Sequence, residues 1–310
     1  IVGGATRDQN VPSSRFGPYI SSASMAWGGT YVTDYNLYGT YMAVAACNRA
    51  DLLKPLVINA LESWGGLEEL GGGIGRDYAD RFNEATLSRF RNSDGTLMFK
   101  NGVDGVLHAV ASAPHGYAIS MAGFDHILFT SAYAALPVLS YFDMTQGTGV
   151  IEGDLVLTRE LEYEYLKDIM ALWEQILIYE NGVYKVKYDS AWEYEANNMG
   201  NAFTIACMHK FTQRLVADAE ALGIDENEEP RILKWKHIDE HMEAYPTAMV
   251  QDGSITRECY SDTWTTAYKE HVTYNGRTDG NSNPNVVVAQ CAPVDLLGLY
   301  SDPAEKELMR

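Results

Sequence analysis

Residues 125–182 read DHILFTSAYAALPVLSYFDMTQGTGVIEGDLVLTRELEYEYLKDIMALWEQILIYENG, and this stretch decides the fold class. Its apolar residues recur at helical spacing. Ile127, Leu128, Ser131, Ala135, Val138, Leu139 and Phe142 predict one helix over about 125–143, and Leu161, Tyr165, Leu172, Trp173 and Ile176 predict another over about 158–179. Pro137 marks a kink in the first, and Asn181-Gly182 a stop after the second.

The same period extends outward in both directions. Upstream, Leu37, Tyr41, Val44 and Ala45 predict a helix from Asn36 to about Cys47. Asp51 then caps a helix carrying Leu53, Leu56, Val57, Ala60, Leu61 and Trp64, with Pro55 in its first turn and Gly65-Gly66 at its end. The short link makes these two an antiparallel pair. A further helical segment is expected near 78–91, and the stretch from Asn92 to Gly123, rich in turn dipeptides, reads as a long functional or mobile loop. Downstream, Tyr184, Val186 and Tyr188 alternate with Lys185 and Lys187 as one half-exposed strand. Helices over about 200–222, ended by Gly223, and about 231–243 follow, then a polar stretch from Gln251 to Asn285 read as loop, and a helix start at Asp302-Pro303. The class is therefore all-α, with long loops and a few short strands. No fixed repeat is present, and unequal loops favour a closed α/α toroid of antiparallel helix pairs over a solenoid.

Composition narrows the function. Lys and Arg number 23 against 42 Asp and Glu, a net charge of −19, which disfavours phosphate backbones and anionic membrane surfaces, so neither nucleic acid nor membrane is expected as a partner. No apolar run approaches the roughly 20 residues that span a bilayer, and the given chain does not start with a signal peptide; a mature secreted or periplasmic chain would look the same. The cysteines Cys47, Cys207, Cys259 and Cys291 form no C-x-x-C pair. Tyr, at 20, and Trp, at 6, outnumber the 9 Phe, which suits wet-edged cores and also clefts that bind sugars.

Several chemistries can be weighed directly. Ile1-Val2-Gly3-Gly4 matches the N-terminus of an activated trypsin-like protease, but no Gly-Asp-Ser-Gly segment follows and the body is helical. The glycines of 65–75 do not fit G-x-G-x-x-G. His237 and His241 share one helix side, yet H-E-x-x-H is not matched and no third ligand is evident, so no metal is expected. His108 and His115, with Ser112 and Ser120, lie in the long loop without a G-x-S-x-G context, which leaves substrate contact or a structural loop. The segment 189–198 differs in kind, because Asp189, Glu193 and Glu195 stand with Asn197, Asn198, Trp192 and Tyr194 between a strand and a long helix. A Glu among aromatic neighbours has a raised pKa, as a general acid at neutral pH requires, and paired carboxylates with aromatic platforms suit glycosidic bond cleavage.

The segment from Met25-Ala26-Trp27-Gly28-Gly29 through Thr33-Asp34-Tyr35-Asn36-Leu37-Tyr38, followed by Asn48-Arg49-Ala50-Asp51-Leu52-Leu53-Lys54-Pro55-Leu56, resembles the start of the catalytic domain of glycoside hydrolase family 95. The run from Ala132-Tyr133 through Tyr141-Phe142-Asp143-Met144-Thr145 to Tyr165-Leu166-Lys167 resembles the helix, tyrosine-rich turn and helix that precede that family's acid. The resemblance, scattered over about 17–300, implies an (α/α)6 barrel and inverting hydrolysis of terminal α-L-fucosides or α-L-galactosides without metal or organic cofactor. It implies a general acid at Glu193 or Glu195. It places Asp34 and Asn36 on the family's Asn-x-Asn pair, with Asp34 replacing the first Asn and so able to act as base toward the water, about 6.5–9.5 Å from the acid. Asp34 also reads as a helix cap. Asp279, in Asp279-Gly280-Asn281, matches the family's polarising Asp in type but not in order. Trp27, Tyr35 and Trp192 are expected to stack on sugar faces, and His115 and Asn198 to contact the oligosaccharide or glycan. The family's twelve helices and flanking β domains exceed what 310 residues supply, so a single incomplete catalytic domain is expected. Alternatives on the same fold are a phosphorylase, a lyase, a hydrolase of another sugar, or a carbohydrate-binding protein without catalysis.

Overall fold

A computed structural model of the chain describes residues 11–12, 30–33, 35–38, 41, 44, 47–65, 87–113, 118–119, 127–189, 200–252, 254–260, 272–273 and 303–304. The chain forms two compact units, Ile1–Asp125 with Thr130–Gln175, and His126–Phe129 with Ile176–Arg310. The described residues are rich in helix, with several short strands between the helices.

In the first unit, β1 (Tyr31–Val32) pairs antiparallel with β2 (Ala111–Ser112), which pairs antiparallel with β3 (Ala118–Ile119). The short helix α1 (Tyr35–Tyr38) follows β1. A 3-10 turn at Ala50–Leu52 precedes α2 (Lys54–Trp64). Asp51 does not cap α2 as expected: its carboxylate is held by the Arg49 guanidinium at 2.6 Å, and the capping position falls on Leu53, which has no side-chain acceptor. Pro55 does lie in the first turn, and Gly65, at φ 70°, ends the helix with its N–H on Leu61 O. The helix α3 (Phe129–Thr145) contains Pro137, and its apolar residues are buried on every side rather than along one stripe. A hairpin of β4 (Gly149–Glu152) and β5 (Leu155–Leu157) leads to α4 (Arg159–Ile176), whose Leu166, Ile169, Met170, Leu172 and Trp173 enter the core.

The stretch after residue 92 is not a mobile loop where it is described. Val103, Val106, Leu107, Ala109 and Val110 are buried. Asp104 and Gln175 exchange two hydrogen bonds at 3.0 and 3.1 Å, and the Val106 N–H donates to Asp168 O at 3.2 Å. This chain lies against α4 so closely that a Cβ on Gly105 would stand 2.5 Å from Leu172 N. Its backbone bonds go to a helix rather than to a regular ladder, so no period marks it in sequence.

In the second unit, the expected single strand is a hairpin of β6 (Ile178–Glu180) and β7 (Val183–Lys185). Asn181 and Gly182 are its turn, both at positive φ (55° and 85°), as a type I′ hairpin requires. The helix α5 (Ala202–Leu222) starts at Asn201, whose side chain accepts the Phe203 N–H at 3.0 Å, and ends at Gly223. It packs with α6 (Arg231–His241), which buries Ile232, Trp235 and Ile238. His209 of α5 bonds Asp239 of α6 at 2.7 Å. The polar stretch read as loop instead holds β8 (Thr247–Asp252) and β9 (Ile255–Tyr260) as an antiparallel hairpin, with β10 (Val272–Thr273) parallel to β8. Among the described residues no helix is long and apolar enough to cross a membrane.

Candidate active-site frame

Trp27, Asp34, His115, Trp192, Glu193, Glu195, Asn198 and Asp279 lie outside the described residues. Tyr35 and Asn36 lie on α1, of which the backbone is described at these two positions. The described residues show the supports on either side of these segments.

The chain entering the Asp34–Asn36 segment is firmly held. Tyr31 pairs with Ser112 and Val32 with Ala111 across the sheet, the Thr33 N–H donates to Val110 O at 2.7 Å, and the Thr33 hydroxyl bonds Ala109 O. The Tyr31 hydroxyl donates to Pro12 O at 2.7 Å, and burial pushes that phenol up to about 12. Leaving the segment, Tyr38 is buried and stacks on Tyr133 with ring centres 4.9 Å apart.

Within the same unit, His108 is buried between Ser63 Oγ, 3.1 Å from Nδ1, and the Tyr165 hydroxyl, 3.0 Å from Nε2. Its N–H donates to Ser131 Oγ at 2.8 Å, and its carbonyl accepts the Thr130 hydroxyl at 2.6 Å. Burial lowers the imidazole pKa to about 4, so the ring is neutral at neutral pH. His108 is thus a core anchor and not a substrate contact. Trp64, beside Tyr165, donates its indole N–H to Asp168 at 2.8 Å.

In the second unit the chain on both sides of 190–199 is tied to one buried place. Asp189, fully buried, accepts the Leu128 N–H at 3.2 Å, the Thr204 hydroxyl at 2.6 Å and the Asn201 amide at 3.5 Å. Tyr188 before it has φ 59°. On the return, the Gly200 N–H donates to Val186 O at 2.8 Å, and Asn201 caps α5. Of the three carboxylates in 189–198, Asp189 is therefore an anchor; Glu193 and Glu195 lie outside the described residues.

Glu243, which sequence reasoning did not single out, stands just after α6. Its N–H donates to Tyr184 O at 2.9 Å, and its Oε1 accepts the Val186 N–H at 2.8 Å. Burial pushes its carboxyl up to about 7, against the opposing pull of the Val186 N–H, Lys185 and Lys187. No periodic pattern marks it, because its side-chain partner Val186 lies 57 residues away.

His237 and His241 stack on each other, ring centres 4.1 Å apart, with Tyr184 OH and His237 O as their Nδ1 partners. Among the described residues no group of three or more His, Cys, Asp and Glu side chains could hold a metal ion.

No protein-family model matches the chain, and no curated protein matches it. Among solved structures it is similar to a chain described as "Putative kojibiose phosphorylase from human microbiome", with 12% identity and a TM-score of 0.48 over 81% of this chain and 33% of that one. This chain thus spans about a third of that protein's length. A likeness at this level assigns neither a family nor an activity.

Proposed function

We propose that the chain is a carbohydrate-active enzyme of the (α/α)6 type that cleaves a terminal α-linked sugar, of the α-L-fucoside or α-L-galactoside class, from an oligosaccharide or glycan with inversion. Glu193, or Glu195 two residues on, protonates the leaving oxygen. Asp34 takes the proton of the attacking water, which Asn36 helps to hold, and Asp279 polarises that pair. Trp27, Tyr35 and Trp192 stack on sugar faces, while His115 and Asn198 bond hydroxyls. The sequence resemblance to glycoside hydrolase family 95 supports this assignment of roles.

The observation that supports it best is the anchoring around 190–199. The chain leaves at Asp189 and returns at Asn201, within side-chain hydrogen-bond reach, and buried bonds fix both ends. Segments whose two ends are fixed close together in this way are frequently functional, and a general acid works only when the frame that carries it is rigid.

The test is release of aryl leaving groups from a panel of α-L- and β-D-glycosides, with and without inorganic phosphate. The expected result is phosphate-independent turnover of an α-L-fucoside or α-L-galactoside, lost by about a thousandfold in either Glu193→Gln or Glu195→Gln and in Asp34→Asn. Turnover that requires phosphate makes the protein a phosphorylase. Sugar binding without turnover on any substrate overturns the enzyme reading in favour of a binding protein.

A further inference from the structure

The hydrogen bonds around Glu243 form a continuous relay. Its N–H and carboxylate grip Tyr184 O and the Val186 N–H on either side of Lys185, and Val186 O accepts the Gly200 N–H. One buried side chain after α6 therefore sets the position of the residue from which the chain runs to Asp189 and to which it comes back at Gly200. We propose that Glu243 is a positioning residue for the general acid of the 190–198 segment, acting through Val186 on the frame that carries it. The inference rests on the proposed function.

The groups facing Glu243 define how it titrates. Lys185 and Lys187 favour its charged form, and Glu180 on β6 engages both lysines, at 3.8 and 2.8 Å. From α6, His237 is bonded to the Tyr184 hydroxyl and His241 to a carbonyl of its own helix. Burial outweighs the lysines and holds the carboxyl near 7. Ionised, Glu243 accepts the Val186 N–H as a carboxylate; protonated, it offers only a neutral carbonyl oxygen, a weaker acceptor. Burial nevertheless makes the charged form the costlier one to hold, so opening that hydrates the carboxyl grows easier as the pH rises through 7, and the frame is firmest below it.

The test compares the full chain with Glu243→Gln, which keeps an acceptor without a charge, and Glu243→Ala, which keeps neither. Amide hydrogen exchange of Val186 and Gly200 is read beside that of Phe211 within α5, which reports that the unit is folded. Exchange of both Val186 and Gly200 should speed at least about tenfold in Glu243→Ala with Phe211 unchanged, and stay within a few-fold of wild type in Glu243→Gln. On the glycoside that the wild type cleaves, the kcat profile should carry a limb with a midpoint near 7 that Glu243→Gln lacks, with KM changed less than kcat. Unchanged exchange in Glu243→Ala, opening of Val186 without Gly200, or a wild-type pH profile in Glu243→Gln overturns the proposal. If Glu243→Ala fails to fold, the profile of Glu243→Gln decides. A wild type inactive on every glycoside but with the expected exchange pattern overturns the proposed function and leaves the relay standing.

Discussion

Acidifying the protein from pH 7 to 4.5 tests whether His108 is held as a neutral core anchor. In the folded chain burial lowers its pKa from 6.5 to about 4, so the unfolded chain takes up the proton first. Its contribution to stability is complete above pH 6.5 and is lost as the pH falls toward 4, which amounts to about 2.5 kcal/mol at pH 4.5. Glu243 has the opposite slope. Its carboxyl is raised from 4.5 to about 7, so its contribution is complete below pH 4.5 and drains as the pH rises through 7, again about 2.5 kcal/mol between pH 5 and 8. The two groups belong to different units, so a probe of the whole chain would see them offset each other. Urea denaturation read by hydrogen exchange of α4 peptides for the first unit, and of α5 peptides for the second, separates them. Since other carboxylates titrate too, the decisive quantity is the difference between wild type and His108→Gln in α4, and between wild type and Glu243→Gln in α5. The first difference should shrink by about 2.5 kcal/mol on acidification, and the second should shift by a similar amount in the variant's favour on going from pH 5 to 8. A His108 difference that does not change with pH would refute the neutral-anchor reading.

Gly105→Ala should lower the stability of the first unit by at least about 2 kcal/mol, because φ is 101° and the added Cβ meets backbone atoms of α4 at 2.5 and 2.7 Å; thermal melts check this. Asp189→Ala should cost about 2–5 kcal/mol by leaving the Leu128 N–H and the Thr204 hydroxyl buried without their acceptor, and exchange near Thr204 should rise. Ser63→Ala, which strips a partner from His108, should destabilise by about 1 kcal/mol. Ser112→Ala should be neutral or stabilising, since the Ser112 hydroxyl is buried with no hydrogen-bond partner; chemical denaturation of the two variants side by side reads the contrast.

How much of this was legible follows from the range of the interactions. The helices α4, α5 and α6 were read correctly to within a few residues, because a buried stripe repeats every 3.6 residues and Asn201 and Gly223 close the ends of α5 with local chemistry. The hairpins were not. Asn181-Gly182 reads as a helix stop, although the same dipeptide is the turn of β6 and β7, and the alternation in β8 and β9 is too polar to announce a pair of strands. Asp51 looked like a cap by position, but Arg49, two residues away, claims its carboxylate.

The supports of the candidate site divide in the same way. From sequence alone came the helical class, the acidic and aromatic segment 189–198, and its setting between a strand and a long helix, since each depends on residues close together in the chain. Tertiary structure decided that Asp189 is a buried root and not a reactive group, that His108 is a core anchor, and that Glu243 carries the backbone leading into that segment. Those roles arise from bonds to partners 12 to 61 residues distant, and burial, the largest cause in each case, lowers the His108 imidazole to about 4 and raises the Glu243 carboxyl to about 7. A residue's type tells which bonds it can make; only the fold determines which partners arrive and whether water is excluded when they do.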